Sequence, residues 1–311
     1  MEETNYEGWR CAVLRSGEMS AYVTLDVGPR VIGLEFEDSG NLFYIKPETR
    51  GRTDLTGYNG YGGHRVWTSP ELTSRTYEPE NSPVDTWIGQ AQDENPTLTA
   101  SYGFRPLLGP SMLEKTLFVS PFAGGFELAH QVHNVAPAVQ EVAPWAITVM
   151  RPGGECLIPG HVTTPMPAAA KLPSRSIVLW PYTRLDDPRY TWGNDAIRLQ
   201  QNPLIDGQTK FGAFVEKGIA CYVTDGFLFV KRFGADLRGQ YPDFGANFEA
   251  FTRHDMLEVE TLGHMRRLAT GESVLHYESW FVFRRELPAG DLTAWFDDLL
   301  EETNRLRFAR T

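Results

Sequence analysis

Two glutamates raise the first chemical question. Glu258 and Glu260 lie two residues apart in a stretch that alternates like a strand, so they fall on one face of it. Carboxylates held together raise each other's pKa, and a carboxyl so tuned can take or give a proton. Further proton-transfer groups come with the segment Gly60-Tyr61-Gly62-Gly63-His64-Arg65-Val66-Trp67-Thr68-Ser69-Pro70-Glu71. Its glycines permit φ > 0 and close backbone approach, and behind them follow an imidazole, a guanidinium and an indole. That mixture predicts loop and a polar pocket with an aromatic wall rather than a core strand. His130 and His133 are spaced to point to opposite faces of a strand, so only one of them can share a pocket. Arg65, Arg189 and Lys210 are candidate anion ligands, because a guanidinium forks onto a carboxylate or phosphate. Trp67, Trp180, Tyr182 and Trp192 offer flat apolar faces. A polar-aromatic loop from Tyr241 leads to Asp243, Asn247 and Glu249, which are candidate hydroxyl ligands. Each group also has a plainer reading: a solvated strand face, surface ion pairs, core packing, or turn chemistry at Asp243 and Asn247.

The elements that must position these groups are mostly strands. Met19 to Val27 and Arg30 to Phe36 alternate around Gly28-Pro29, and Leu42 to Ile45 reads as a third, buried strand. Residues 46 to 95 lack periodicity and read as ordered binding loops. Strands resume from Thr97, with strong alternation at Leu113 to Val119, Phe126 to Val135 and Trp145 to Met150. Pro159 to Pro173 and Pro181 to Asp195 read as loops around the short strand Ile177 to Trp180. A meander follows over Phe211 to Phe233, with a hairpin signal at Asp225-Gly226. Asn247 to Phe251, Leu257 to Leu262 and Val274 to Phe283 complete the strands. Leu292, Trp295, Phe296, Leu299 and Leu300 form a helical stripe that Asp291 can cap, which predicts a helix from Asp291 to about Leu306. No linker or repeat divides the chain, so residues 1–311 are expected to form a single all-β sandwich domain with one short C-terminal helix.

Composition narrows the function. A net charge of -11 disfavours nucleic acid as a partner. No apolar run approaches the ~20 residues of a membrane span, and no secretory leader is visible, so a cytoplasmic protein is expected. Cys11, Cys156 and Cys221 lack metal-type spacing and read as free thiols. His130-x-x-His133 lacks the helix and glutamate of a zinc motif, so neither a metal nor another cofactor is expected. Phosphate-loop and serine-nucleophile motifs are missing from the sequence.

The order of these features resembles the galactose mutarotase-like superfamily, which includes the aldose 1-epimerases. Thr24 to Ile32 is similar to its first hairpin, and Gly62-Gly63-His64-Arg65-Val66-Trp67 with Pro70 to its substrate loop. Phe126 to Asn134 is similar to its central strand, and Glu260-Thr261-Leu262-Gly263 with Leu268 to Ser273 to its catalytic strand and last hairpin. The resemblance is nearest to a bacterial branch known only as a domain of unknown function. It implies a β-supersandwich with a sugar site on a concave sheet face, in a monomer or homodimer. It implies that Glu260 is the base that takes the anomeric proton. The superfamily's acid is a histidine shortly after the central strand, but Glu141 to Gly154 contains none, so His64 or His133 is the expected substitute. On this reading Arg65, Arg189 and Lys210 would serve a sugar acid, and Trp67, Trp180 and Tyr182 would stack on a pyranose ring. The leading expectation is aldose 1-epimerase-like interconversion of anomers. The alternatives are a non-catalytic carbohydrate-binding or regulatory module, or a lyase or hydrolase acting on an oligosaccharide or sugar acid.

Overall fold

The computed structural model describes residues 1–89, 101–105, 109–160 and 175–308. In chain order the strands are β1 (Glu2–Tyr6), β2 (Trp9–Ser16), β3 (Met19–Thr24), β4 (Arg30–Phe36), β5 (His64–Ser69), β6 (Asp85–Gly89) and β7 (Ser101–Arg105). Then come β8 (Leu113–Phe122), β9 (Gly125–Asn134), β10 (Gln140–Met150), β11 (Glu155–Pro159), β12 (Ile177–Leu179), β13 (Tyr190–Trp192) and β14 (Ala196–Gln200). The last are β15 (Thr209–Ala213), β16 (Ile219–Thr224), β17 (Phe227–Phe233), β18 (Phe248–Arg253), β19 (Met256–Leu262), β20 (Arg266–Leu268) and β21 (Ser273–Arg284), followed by helix α1 (Thr293–Phe308).

These strands make two antiparallel sheets. The first runs β1-β2-β3-β4-β5-β10-β19-β18-β15-β12, with β20 paired to β10. The second runs β13-β14-β11-β16-β17-β21-β9-β8-β7-β6. Alternation decides what each strand buries. In β9, Phe126, Leu128, His130 and Val132 are buried while the residues between them are only partly covered. Val66, Phe211 and Val259 of the first sheet and Phe126, Phe229 and Trp280 of the second belong to one core between the layers. Helix α1 lays Phe296 and Leu299, with Leu292 just before it, against Leu157, Cys221 and Phe281 on the far side of the second sheet. No helix among the described residues is long and apolar enough to cross a membrane.

The expected sandwich and terminal helix are both present, and the Asp291 carboxylate accepts the amide of Thr293 at 2.7 Å beside the helix start. Several local expectations need correction, among them the loops read over 46 to 95 and Pro181 to Asp195, which contain β6 and β13. Leu42 to Ile45 is not a strand but a pair of isolated bridges, Phe43 to Met150 and Ile45 to Gly62. The Asn41 side chain takes the amides of Leu34 and Phe43 and so ties the start of this stretch to the end of β4. The meander also begins earlier than expected, with β1 and β2. Most consequential, His64 to Ser69 is not loop but a fully buried strand in the middle of the first sheet. Gly62 and Gly63 deliver the chain to it with φ of 95° and 67°. A Cβ on Gly63 would stand 2.4 Å from the Val31 carbonyl oxygen, so only glycine fits there. The loop expected over Pro159 to Pro173 falls largely at 161–174, outside the described residues, as does the strand start expected at Thr97.

Candidate functional site

Cross-strand register places the chemistry. Arg65 on β5 faces Ile147 on β10, Ile147 faces Glu260 on β19, and Glu260 faces Glu249 on β18. Directly opposed residues share a face, so this row lies on one side of the first sheet. The row beside it holds Glu258, Phe251 and Lys210, two residues along each strand. Trp67 and Trp145 are paired in the row on the other side, with ring centroids 5.5 Å apart. The alternate residues, among them His64, Thr148, Val259 and Ala250, point the other way, into the space between the sheets.

Three side chains form the centre of the outward face. Lys210 Nζ lies 2.7 Å from Glu249 Oε2 and 3.0 Å from Glu260 Oε2. The Trp145 indole N–H donates to Glu260 Oε2 at 2.8 Å. The Lys210 ammonium sits between two indoles, 4.5 Å from the Trp145 ring and 4.6 Å from the Trp180 ring. Beside this centre, Arg65 donates to Glu258 at 3.1 Å and lies over Trp67 at 4.4 Å. Tyr58 and Tyr77 close the wall over Trp67. Glu249 and Glu260 have no solvent exposure, and Tyr182 at the rim is 37% exposed.

Burial pushes the Glu260 carboxyl above its ordinary range, against the pull of Lys210, and Glu258 adds to the rise. Burial raises Glu249 well above its range; Lys210 opposes this while Glu260 and Asp243 reinforce it. Burial works against the Lys210 ammonium, but Glu249 and Glu260 outweigh it and hold its pKa above the lysine range. Lys210 therefore stays charged, and the two carboxyl groups beside it take up a proton more readily than free glutamates do. Among the described residues, Glu249 Oε1 and Glu260 Oε1 are buried without a hydrogen-bond partner. A buried acceptor left unpaired costs about 1–3 kcal/mol, so these two oxygens mark where a donor group belongs.

The structure thus brings Arg65, Trp67, Trp180, Tyr182, Lys210, Glu249, Glu258 and Glu260 to one face. Asp243 borders it, with its carboxylate 3.4 Å from the Ser69 hydroxyl. Other candidates lie elsewhere. His64 was expected to share the pocket with Glu260; it points to the opposite side of the sheet because it neighbours Arg65 on a flat strand. His133 is on β9 of the second sheet, bonded to Glu114 at 3.1 Å. Arg189 is locked onto Asp187 at 2.7 Å and onto the Gly207 carbonyl. The Asn247 carboxamide pairs with the backbone of Val215 at 2.7 and 3.3 Å, which is turn chemistry. Sequence reasoning missed Trp145, whose alternation with Ile147 and Val149 read only as a strand face.

His64 belongs to a second buried polar group between the sheets. Its Nε2 meets His130 Nε2 at 2.7 Å and its Nδ1 meets the Thr148 hydroxyl at 2.9 Å. His130 Nδ1 donates to the His276 carbonyl at 3.0 Å, so His130 Nε2 accepts from His64. His276 Nε2 donates to the Thr261 hydroxyl at 2.7 Å, and Thr261 donates to Glu278. His64, His130 and Glu278 offer donor atoms within 4.8 Å of one another, a spacing open to a metal. Those atoms are already engaged, and Lys231 at 2.8 Å from Glu278 and the Trp280 N–H at 2.8 Å serve the carboxylate. An open groove of about 640 Å³ between β20 and β21, lined by residues such as His264, Arg266 and Leu275, includes none of the groups on the outward face.

No family model matches the sequence, and no curated protein matches it. Solved structures do match its fold. A galactose mutarotase-like protein from Lactobacillus casei superposes with a TM-score of 0.55 at 12% identity, over 88% of this chain and 100% of that one. A protein described as a candidate aldose 1-epimerase from Klebsiella pneumoniae gives 0.57 at 11% identity, over 100% of this chain and 87% of that one. A TPR-domain-containing protein from Parabacteroides distasonis gives 0.57 at 13% identity over 90% of this chain, which spans 48% of that longer chain. At these identities the likeness shows the fold, a galactose mutarotase-like β-supersandwich.

Proposed function

We propose that the outward face of the first sheet binds a sugar ring and interconverts its anomers, with Glu260 as base and Glu249 as acid. The observation that carries this reading is the opposition of two buried carboxyl groups across β18 and β19, bridged by Lys210 beneath an aromatic wall. Mutarotation needs one group to take the anomeric hydroxyl proton while another protonates the ring oxygen, and then the reverse. A carboxyl pair that holds one proton supplies both functions at once. In this arrangement Glu249 does the work first expected of a histidine. As Glu260 gains a proton Glu249 loses one, so the pair keeps a single negative charge, which the Lys210 ammonium balances, and Trp67, Trp180 and Tyr182 provide the surface on which the ring lies.

The resemblance in fold to mutarotase-like proteins supports the reading. A second reading, sugar binding without turnover, is favoured by the complete burial of Glu249 and Glu260. Magnetisation-exchange NMR between α and β anomers separates the two. The expected result is acceleration for one class of aldose and a loss of about 10²–10⁴-fold in rate in Glu260→Gln, with little change in binding. Saturable binding with no acceleration in the wild type would establish the second reading instead.

A further inference from the structure

The charges on this face say which sugar it was built for. Three carboxylates, Glu249, Glu258 and Glu260, stand against two cations, Arg65 and Lys210. Both cations are committed: Arg65 to Glu258, Lys210 to the other two. Among the described residues, the buried atoms without a hydrogen-bond partner around Lys210 are carboxylate oxygens, Glu249 Oε1 and Oε2 and Glu260 Oε1, of which Glu249 Oε2 meets Lys210 as an ion pair; on the flank the Arg65 Nε is also unpartnered. A ligand carboxylate would bring a further negative group to a face whose two cations are already ion-paired, and it would leave the unpartnered carboxylate oxygens without a donor. A sugar acid, expected from Arg65, Arg189 and Lys210 in the sequence, therefore suits the centre of this face less well than a cationic sugar. Arg189 is bound to Asp187 and cannot serve.

Resting on the reading of this face as a sugar site, we infer that its ligand is an aminated sugar, a pyranose carrying a protonated primary amine. An ammonium group supplies donors for both unpartnered oxygens and the single positive charge that balances the face. Aromatic surface suits it as well, since the indoles of Trp145 and Trp180 already flank one ammonium, that of Lys210. Without ligand, the surplus negative charge on this face favours a proton on the Glu249–Glu260 pair, the direction in which burial moves both carboxyls. The ammonium replaces that proton, so binding releases it to solvent. The step balances: one carboxyl O–H is lost, one proton appears in the buffer, and the amine keeps its own.

The test is isothermal titration calorimetry of the full chain with glucosamine, N-acetylglucosamine, glucose and glucuronate. Each is titrated in two buffers of different ionisation enthalpy, at a pH where the amine is protonated. Glucosamine is expected to bind about tenfold or more tighter than glucose and N-acetylglucosamine, because a charged donor replaces a neutral one. Glucuronate is expected to bind weakest. Only glucosamine should show a buffer-dependent heat, and Glu249→Gln should lose both that heat and the preference for the amine. Should this variant fail to fold, the ranking and proton release of the wild type decide alone. Glucuronate binding as tightly as glucosamine, no preference for glucosamine over glucose, or no proton release would each overturn the inference while leaving a sugar site standing. Binding of none of the four would overturn the sugar reading itself, and the inference with it.

Discussion

Lys210 is the residue on which the candidate site turns. It is 5% exposed and touches two carboxyl groups that are wholly buried. Breaking a buried pair costs more than the pair is worth, because the partner is left charged and unsolvated. Lys210→Met keeps much of the chain's bulk against Trp145 and Trp180 and removes only the ammonium. At neutral pH it should destabilise the fold by about 3 kcal/mol or more. The loss should shrink in acid, and the sign follows from linkage. Glu249 and Glu260 have folded pKa values raised above their unfolded ones, and without the lysine these rise further. Such groups contribute stability below the unfolded carboxylate pKa and lose it as pH rises through the folded value. Urea unfolding of the variant near pH 5 and near pH 8 should therefore show the larger deficit at the higher pH. Equal deficits at both would mean that Lys210 does not govern the protonation of the pair.

At the scale of elements, the decisive one is β5 and its glycine entrance. Gly63 has φ of 67° and the Val31 oxygen 2.4 Å from where a Cβ would stand, whereas Gly271 has φ of 86° and open space around it. Gly63→Ala should thus cost clearly more than Gly271→Ala, about 2–4 kcal/mol against about 1, as read from thermal unfolding. Equal losses would mean that the sheet does not close on Gly63. The same element shows what a sequence can reveal. Alternation exposed β8, β9, β10, β19 and β21 because each has an apolar face, and the stripe from Leu292 to Leu300 exposed α1. It did not expose β5, where His64, Arg65, Thr68 and Ser69 are buried as polar groups. Their burial rests on partners such as His130 and Glu258, which are 66 and 193 positions away. The opposition of Glu249 and Glu260 was nearer to hand, because a two-residue turn at His254-Asp255 sets the register of β18 and β19. The side of the sheet each histidine takes follows from that strand geometry, once the loop reading of residues 64–69 is set aside.

For the molecule as a whole, the unusual feature is that both faces of the first sheet carry buried ionisable groups near its centre. Between the sheets, His64, His130 and His276 are neutral and hydrogen-bonded to protein. Burial holds His130 and His276 down to about 3 and pushes His64 well below its ordinary value, and like-charged neighbours assist. In each case the folded pKa is depressed, so the unfolded chain binds protons that the folded one does not. For His130 and His276 the contribution to stability is complete above about pH 6.5 and is lost as pH falls from there toward about 3, at about 1.4 kcal/mol per unit for each imidazole, and His64 acts in the same direction. Glu249 and Glu260 act in the opposite sense, since their raised folded values favour the fold as pH falls toward the carboxylate range. A bulk stability profile therefore mixes two slopes, and a site-resolved measurement is needed. Histidine ring resonances followed by NMR from pH 7 to about pH 4 should leave these three imidazoles unchanged for as long as the protein stays folded. Removing the Thr261 hydroxyl with Thr261→Val should release the His276 ring from its acceptor without adding solvent, which keeps it neutral but shifts its resonance. Three rings that titrated near pH 6.5 in the folded wild type would place water between the sheets, and the layer that holds β5 in position would then be open rather than dry.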